Sequence, residues 1–224
     1  MKVHAFSRLL KTELRNRRNE WLIIVAALVV LNVLLSLLQL FMDRDQLAFV
    51  MTLNIVVYCV MLLAPLVHGF SIWREEWKQR SIVLILMIPV PRAHLVTAKC
   101  MAILLEALLI TGVTAVGLSV QYVLSDGMLF RAEPLITLTW GKLWLAAHLM
   151  IAATCLVLLC FFSMLLGKCS RKLSIGIAFL VFVAGLLVTV VAAANLPPLL
   201  VFVFVGAACF GGSVYLLEKK VAIG

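Results

Sequence analysis

The chain has 224 residues, of which 65% are apolar and only 13% are charged, and its net charge is +9. Soluble domains are nearer half apolar and a quarter charged, so a soluble enzyme and a nucleic-acid-binding protein are both excluded. The length allows one membrane bundle without a second sizeable globular domain, and we therefore interpret residues 1–224 as a single transmembrane domain.

The N-terminal segment, residues 1–20, is basic and amphipathic. In a helix its residues separate onto two faces, with Arg8, Lys11, Arg15 and Arg18 on one and Val3, Phe6, Leu10 and Leu14 on the other. This pattern is typical of a helix that lies in the membrane interface, and a disordered basic tail is the alternative. The next apolar run is too long for a signal peptide and lacks a small-residue cleavage site, so we expect no cleavage there.

Six apolar runs follow. A run of about 20 apolar residues can cross a bilayer as a helix. The predicted spans are residues 21–41, 47–70, 101–123, 143–166, 173–194 and 199–217. None of them alternates between apolar and polar residues as the strands of a membrane barrel do. The predicted fold class is therefore all-α, a polytopic membrane protein with six transmembrane helices.

The basic residues indicate the orientation of these spans. All of the 19 Lys and Arg residues except Arg44, Arg131 and Lys142 lie before span one, between spans two and three, between spans four and five, or after span six. Lys and Arg accumulate on the cytoplasmic side of membrane proteins, so both termini are expected in the cytoplasm. We expect a multi-pass protein of the cell (plasma) membrane whose basic surface faces anionic membrane lipids, with no nucleic-acid partner.

A few polar side chains interrupt the spans. They are Asn32, Ser36 and Gln39 in span one, Asn54 and Tyr58 in span two, and Glu106 in span three. Intramembrane polar groups usually face the bundle interior, so these residues are candidates for a substrate path or for contacts between helices. Glu106 is the only carboxylate inside a span. It either lines a path or couples to protons, or it is protonated or hydrogen-bonded as a structural group.

No catalytic, metal or nucleotide site is apparent. The six cysteines form no C-x-x-C pair and the four histidines show no H-x-x-x-H spacing, so neither a disulfide framework nor a metal site is predicted. Gly117-Leu118-Ser119 resembles the start of an intramembrane serine protease motif, but the last two spans contain no histidine to act as a base. The phosphate-binding pattern G-x-x-x-x-G-K-[ST] is also missing, so we predict that this chain binds no cofactor.

The loop between spans two and three, residues 74–99, contains a short apolar segment. Ser81–Ile88 has eight mostly apolar residues, which as a helix would rise only about 12 Å, too little to cross a bilayer. Pro89 and Pro91 then fix a sharp turn. Because this segment lies on the cytoplasmic side, either the lipid headgroup layer or a protein partner must cover its apolar face.

This loop resembles that of the ABC type-2 permease family. In that family an acidic pair ends span two, and a short apolar helix, a Leu-Pro-Val-Ser-Arg-like turn and a Lys that opens span three follow. The chain has the same order: Glu75-Glu76, Ser81–Ile88, Pro89-Val90-Pro91-Arg92 and Lys99. The basic N-terminus and the six spans also match. Residues 195–198 are too few for the re-entrant helices that larger members carry between spans five and six.

The resemblance implies a permease subunit of an ABC exporter that is not itself an enzyme. It implies two permease copies, identical or related, and separate ATPase subunits that bind ATP and Mg and contact the short coupling helix. The predicted coupling residues are Glu75, Glu76, Arg80, Ser81, Leu84, Leu86, Pro89 and Arg92.

The scarcity of charges in the spans favours an amphipathic or hydrophobic substrate, and in this family such cargo includes peptide toxins, antimicrobial peptides and drugs. A secondary transporter, or a membrane-embedded enzyme that uses Glu106, is the alternative.

Overall fold

The computed structural model describes residues 2–41, 47–78, 91–125, 140–169 and 174–219. Across these ranges the chain forms seven helices and no strand. They are Lys2–Asn16 (α1), Arg18–Phe41 (α2), Leu47–Lys78 (α3), Arg92–Leu124 (α4), Trp140–Lys168 (α5), Ser174–Asn195 (α6) and Pro198–Lys219 (α7). The prediction of an all-α fold is confirmed.

Six of these helices, α2 to α7, are long and apolar enough to cross a membrane. The prediction of six spans is thereby confirmed, and the protein is a multi-pass membrane protein. The helix α1 has only 15 residues. Its side chains from Phe6 onward separate as the sequence indicates, with Phe6, Leu10 and Leu14 half-buried and Arg8 and Lys11 exposed. The position of α1 in the membrane interface stays a prediction.

Two helices extend further than the predicted spans. The helix α3 continues to Lys78, and α4 begins at Arg92, so both ends of the predicted loop 74–99 are helical. Hydropathy marks where a helix leaves hydrocarbon, but the backbone hydrogen bonds continue into the headgroup layer, where charged side chains are solvated. The predicted coupling helix, Ser81–Ile88, lies outside the described residues.

Two breaks in the helical pattern follow from local sequence. Arg17 forms a turn between α1 and α2, and its carbonyl accepts the first hydrogen bond of α2, from the Trp21 backbone N–H at 3.0 Å. Only Leu196 and Pro197 separate α6 from α7, which pack against each other. Pro198 occupies the first position of α7, where the absence of a backbone N–H leaves no hydrogen bond unmade.

The chain divides into two compact units. The first unit is Met1–Glu13, Leu66–Leu104 and Trp144–Gly224, and the second unit is Leu14–Pro65 and Leu105–Leu143. Each unit is described separately below. The interpretation of residues 1–224 as a single domain stays a prediction.

In the first unit, α5 is the central helix. Half of its most apolar stretch is buried, against 11% for α6. Trp73 of α3 packs edge-on against Phe161 of α5, with ring centroids 5.8 Å apart. Gly206 of α7 lies close to α5, since a Cβ atom built on this glycine would be 3.7 Å from the Cα atom of Cys155. Because lipid tails are as apolar as these side chains, close van der Waals packing of this kind, rather than hydrophobic burial, holds membrane helices together.

The first unit also buries an ion pair. Lys99 of α4 is 0% exposed, and its Nζ donates a hydrogen bond of 2.7 Å to Oε1 of Glu13 in α1. The same Nζ lies 5.4 Å from the ring centroid of Trp73 in α3. The aromatic rings of Phe6 and His94 form a second contact between α1 and α4, with centroids 6.1 Å apart. The charge of Lys99 therefore links three helices, and two of them flank the segment 79–90.

We expect Glu13→Gln to destabilise the protein by about 1–3 kcal/mol. Breaking a buried ion pair costs about 3–5 kcal/mol, and the Glu13 side chain is 18% exposed, which reduces the cost. The measurement is the thermal unfolding midpoint of the purified protein in detergent, with Glu218→Gln, an exposed carboxylate of α7, as the control. The double variant with Glu13→Lys and Lys99→Glu, which reverses the ion pair, should recover part of the stability that Glu13→Gln loses. Equal midpoints for Glu13→Gln and Glu218→Gln would contradict the structural role of the pair.

Candidate functional site

The second unit contains a buried amide cluster. Asn54 of α3 donates from Nδ2 to Oε1 of Gln121 in α4 at 2.8 Å, and Gln121 Nε2 donates to Asn54 Oδ1 at 3.4 Å. Gln39 of α2 donates from Nε2 to the Gln121 backbone carbonyl at 2.9 Å. All three side chains are buried. Polar side chains in membrane helices commonly make such bonds across helices, and these bonds join α2, α3 and α4.

Gln121 was not among the polar residues predicted to matter within the spans. Its position did carry a usable signal, because consecutive spans are antiparallel and the start of α3 therefore lies at the depth of the end of α4. Asn54 lies in the second turn from the start of α3, and Gln121 lies in the last turn of α4. Two amides near one depth on adjacent helices are candidates to pair, because each carries both a donor and an acceptor.

The other predicted polar residues are also engaged. Tyr58 OH lies 3.1 Å from Thr111 Oγ1, and it is the donor because Thr111 gives its own hydroxyl hydrogen to the Ala107 carbonyl. Asn32 Nδ2 donates to the Leu28 carbonyl at 2.9 Å, and Ser36 Oγ donates to the Asn32 carbonyl at 2.8 Å.

Asn32 also marks a close approach of α2 to α4. Asn32 is buried, and a Cβ added to Gly117 of α4 would collide with its Oδ1 and Cγ atoms. Glycine at position 117 thus leaves the space that the Asn32 side chain fills. The predicted face of Asn32, Ser36 and Gln39 therefore reaches α4 through Asn32 and Gln39.

Glu106 is 2% exposed and lies on α4. Thr114 and Gln121, also buried, follow it after two and four turns, so the three residues lie along one side of the helix. Thr114 donates its hydroxyl hydrogen to the Ile110 carbonyl at 2.9 Å. Burial of Glu106 in this stripe is compatible with a structural carboxyl group and with a path residue.

An apolar groove of about 780 Å³ lies in the second unit. Leu14 and Trp21 line one end, and residues of α2 and α4 line the rest. Of its 14 lining residues only Trp21, Asn32 and Ser36 carry a polar side-chain atom, and none is charged. Two of the predicted path residues, Asn32 and Ser36, therefore border a surface suited to an apolar ligand.

The predicted coupling residues lie in or beside the segment 79–90. Glu75 is exposed near the end of α3, and Arg92 is half-buried at the first position of α4. The backbone of Glu76 belongs to α3. The remaining coupling residues lie outside the described ranges: Arg80, Ser81, Leu84, Leu86 and Pro89.

Within the described ranges no three His, Cys, Asp or Glu side chains come close enough to hold a metal ion. The cysteines, which all lie at described positions, form no disulfide with one another, and Cys100, Cys155, Cys160 and Cys209 are buried.

Comparison with known proteins decides the family. A family model described as "ABC-2 family transporter protein" matches residues 9–185, more than three quarters of the chain. The chain belongs to this family. The resemblance inferred from the loop 74–99 is therefore confirmed, and the protein is a membrane permease subunit of an ABC transporter. No curated protein and no solved structure matches the chain significantly.

Membership of the ABC-2 family narrows the alternatives. Members of this family are membrane components of transporters and are not themselves enzymes, so we no longer interpret the chain as a membrane-embedded enzyme. Membership also implies a partner ABC ATPase subunit.

If Glu106 is structural, Glu106→Gln should keep both the fold and transport, because an amide retains hydrogen-bonding capacity without charge. Glu106→Leu should lower the thermal midpoint, since it leaves buried polar atoms unsatisfied at about 1–3 kcal/mol. The measurements are the unfolding midpoint and ATP-driven transport in vesicles. Loss of transport in both variants, with normal midpoints and ATPase activity, would instead assign Glu106 to the path or to coupling.

Proposed function

We propose that the permease exports an amphipathic or hydrophobic cargo from the cell, driven by ATP that separate ABC ATPase subunits hydrolyse. The observation that carries the proposal is the groove of the second unit, which has no charged lining residue. A polar solute would lose its hydration there and gain few hydrogen bonds, which is unfavourable. The apolar part of an amphipathic molecule loses no hydrogen bonds in such a groove.

The amide cluster supports the same cargo class. Five of the six amide atoms in the side chains of Gln39, Asn54 and Gln121 are hydrogen-bonded within this unit, so the cluster offers little to a polar solute; the sixth, Gln39 Oε1, is buried without a partner among the described residues. Asn32 and Ser36 remain candidate path residues at the groove, beside Tyr58 and Glu106 elsewhere in the second unit. Peptide toxins, antimicrobial peptides and lipophilic drugs all combine the required apolar surface with polar groups.

Coupling is proposed to pass through Ser81–Ile88. The ends of α3 and α4 flank this segment, and the ion pair of Lys99 links both helices to α1. We propose that the short helix docks into a groove of the ATPase, which binds ATP and Mg. Glu75, Glu76 and Arg80 would form the polar rim, where charges mainly determine register.

The assembly is proposed to contain two permease chains, identical or related, in the cell membrane. The distribution of Lys and Arg predicts a cytoplasmic position for the N-terminus, the segment 79–90 and the C-terminus. This orientation agrees with a cytoplasmic ATPase partner. The alternative function is secondary transport, which the burial of Glu106 would favour if transport proceeded without ATP.

The docking proposal predicts the behaviour of Leu84→Asp and Leu86→Asp. Each change places a charge in an apolar contact, and loss of a large interface anchor costs about 2 kcal/mol or more, roughly 30-fold in affinity. The variants should insert normally but lose the ATPase on co-purification. Inside-out vesicles should then lose ATP-dependent uptake of a lipophilic fluorescent dye. The control Leu84→Met should retain both the bound ATPase and the dye uptake.

Retention of the ATPase at wild-type stoichiometry in both Asp variants would refute docking through this segment. It would indicate that the short helix rests on the lipid surface. Uptake of the dye that persists without ATP would refute the ABC mechanism in favour of secondary transport.

A further inference from the structure

The junction of α1 and α2 buries two hydrogen-bond donors. Arg17 is only 6% exposed, and its Nη1 has no hydrogen-bond partner in the part of the chain that the structure describes. The indole Nε1 of Trp21 is likewise buried and without a partner among the described residues. Both residues belong to the second unit.

A buried guanidinium group without an anion is unfavourable, because it has lost its hydration and gained no countercharge. Arg17 and Trp21 are four residues apart, one helical turn, so they lie on one side of the chain. Arg17 also directly precedes α2, a helix of 24 residues whose N-terminal backbone amides carry partial positive charge. All three features favour an anion at this position, and a planar guanidinium suits the oxygens of a phosphate group.

One of the two donors lies at the apolar groove, because Trp21 is among its lining residues. Arg17 does not line the groove itself, but it lies between the lining residues Leu14 and Trp21 in the chain, three and four positions away. Along α2 the lining extends from Trp21 to Ser36, a helix rise of about 22 Å. The hydrocarbon of one leaflet is about 15 Å thick, so an acyl chain of that leaflet fits along the groove.

We propose that the second unit binds an anionic phospholipid, with its phosphate at Arg17 and Trp21 and one acyl chain in the groove. The lipid would come from the leaflet that faces the basic N-terminal segment, which the charge distribution predicts to be cytoplasmic. The site does not depend on export. If cargo uses the same groove, this lipid is the molecule that the cargo displaces.

The test is native mass spectrometry of the purified full-length chain, without nucleotide or ATPase, in detergent with equal amounts of dioleoyl phosphatidylglycerol and dioleoyl phosphatidylcholine. The two lipids share their chains and differ in head-group charge. The wild type should retain the anionic lipid about tenfold more than the zwitterionic lipid, which corresponds to 1.4 kcal/mol. Arg17→Gln should remove this preference.

Arg18→Gln is the matched control, because Arg18 is adjacent, equally charged and exposed. It should retain the preference. An equal loss in both variants would overturn the head-group site and indicate a general basic surface. Trp21→Phe provides a second test if Arg17→Gln does not fold, since it removes the indole N–H but keeps an aromatic ring and should reduce the preference; an unchanged preference there would also overturn the site.

Gly112→Leu tests the acyl chain. Gly112 lines the groove, and a Cβ added to it meets no atom within 4 Å, so leucine should fill the groove without a clash. This variant should retain several-fold less of both lipids. Gly211→Leu on α7 is the control, because its Cβ also meets open space but lies outside the groove. Unchanged retention in Gly112→Leu, or displacement of phosphatidylglycerol by glycerol 3-phosphate at equal concentration, would overturn the placement of the chain.

Discussion

A polar group inside a membrane must find its hydrogen-bond partners within the protein, because hydrocarbon supplies none. Each unit of this permease contains a buried polar cluster whose hydrogen-bond partners come from the protein itself. In the first unit, Lys99 contacts Glu13 and the ring of Trp73, and in the second, Gln121 bonds to Asn54 through its side chain and to Gln39 through its backbone carbonyl. Since each cluster takes its members from three helices, satisfying the polar groups also fixes which helices adjoin and in what register.

The rest of the packing follows from shape. Gly117 leaves space for the side chain of Asn32, Gly206 allows α7 to approach α5, and Trp73 meets Phe161 edge-on. Asn32 and Ser36, which line the groove, donate their hydrogen bonds within α2, and the groove of the second unit has no charged lining residue. The lack of charge in this groove relates the packing of the helices to the proposed cargo. A permease built this way is better suited to molecules that already partition into the bilayer than to polar solutes. Arg17 is an exception in this largely apolar unit, because its charged side chain is buried and its Nη1 has no hydrogen-bond partner among the described residues. This exception suggests an anionic lipid.

The sequence was sufficient for the fold class and the six spans, because run length and apolar content are properties of the chain alone. The loop from Glu75 to Lys99 was also sufficient for the family. The helix ends at Lys78 and Arg92 were not predictable, since hydropathy reports the edge of the hydrocarbon and not the end of backbone hydrogen bonding.

The pairing of polar residues was only partly predictable. Asn54 and Gln39 were singled out as polar residues within spans, but their partner Gln121 was not. Lys99 was interpreted as the residue that opens span three, and its ion pair with Glu13 was not foreseen. In both cases the partner lies far along the chain, so the choice is made by tertiary packing. The groove likewise depends on the side-by-side placement of α2 and α4, which no local pattern encodes.

The central claim is that buried polar side chains of the second unit join its helices. A double-mutant cycle with Asn54→Leu and Gln121→Met tests it most directly, because both changes replace the amide by an apolar side chain of similar length and leave the bond from Gln39 to the Gln121 backbone in place. With unfolding free energies measured in detergent, the account predicts a coupling energy of about 0.6–1.7 kcal/mol between the two positions. Strictly additive effects of the two single substitutions would contradict it.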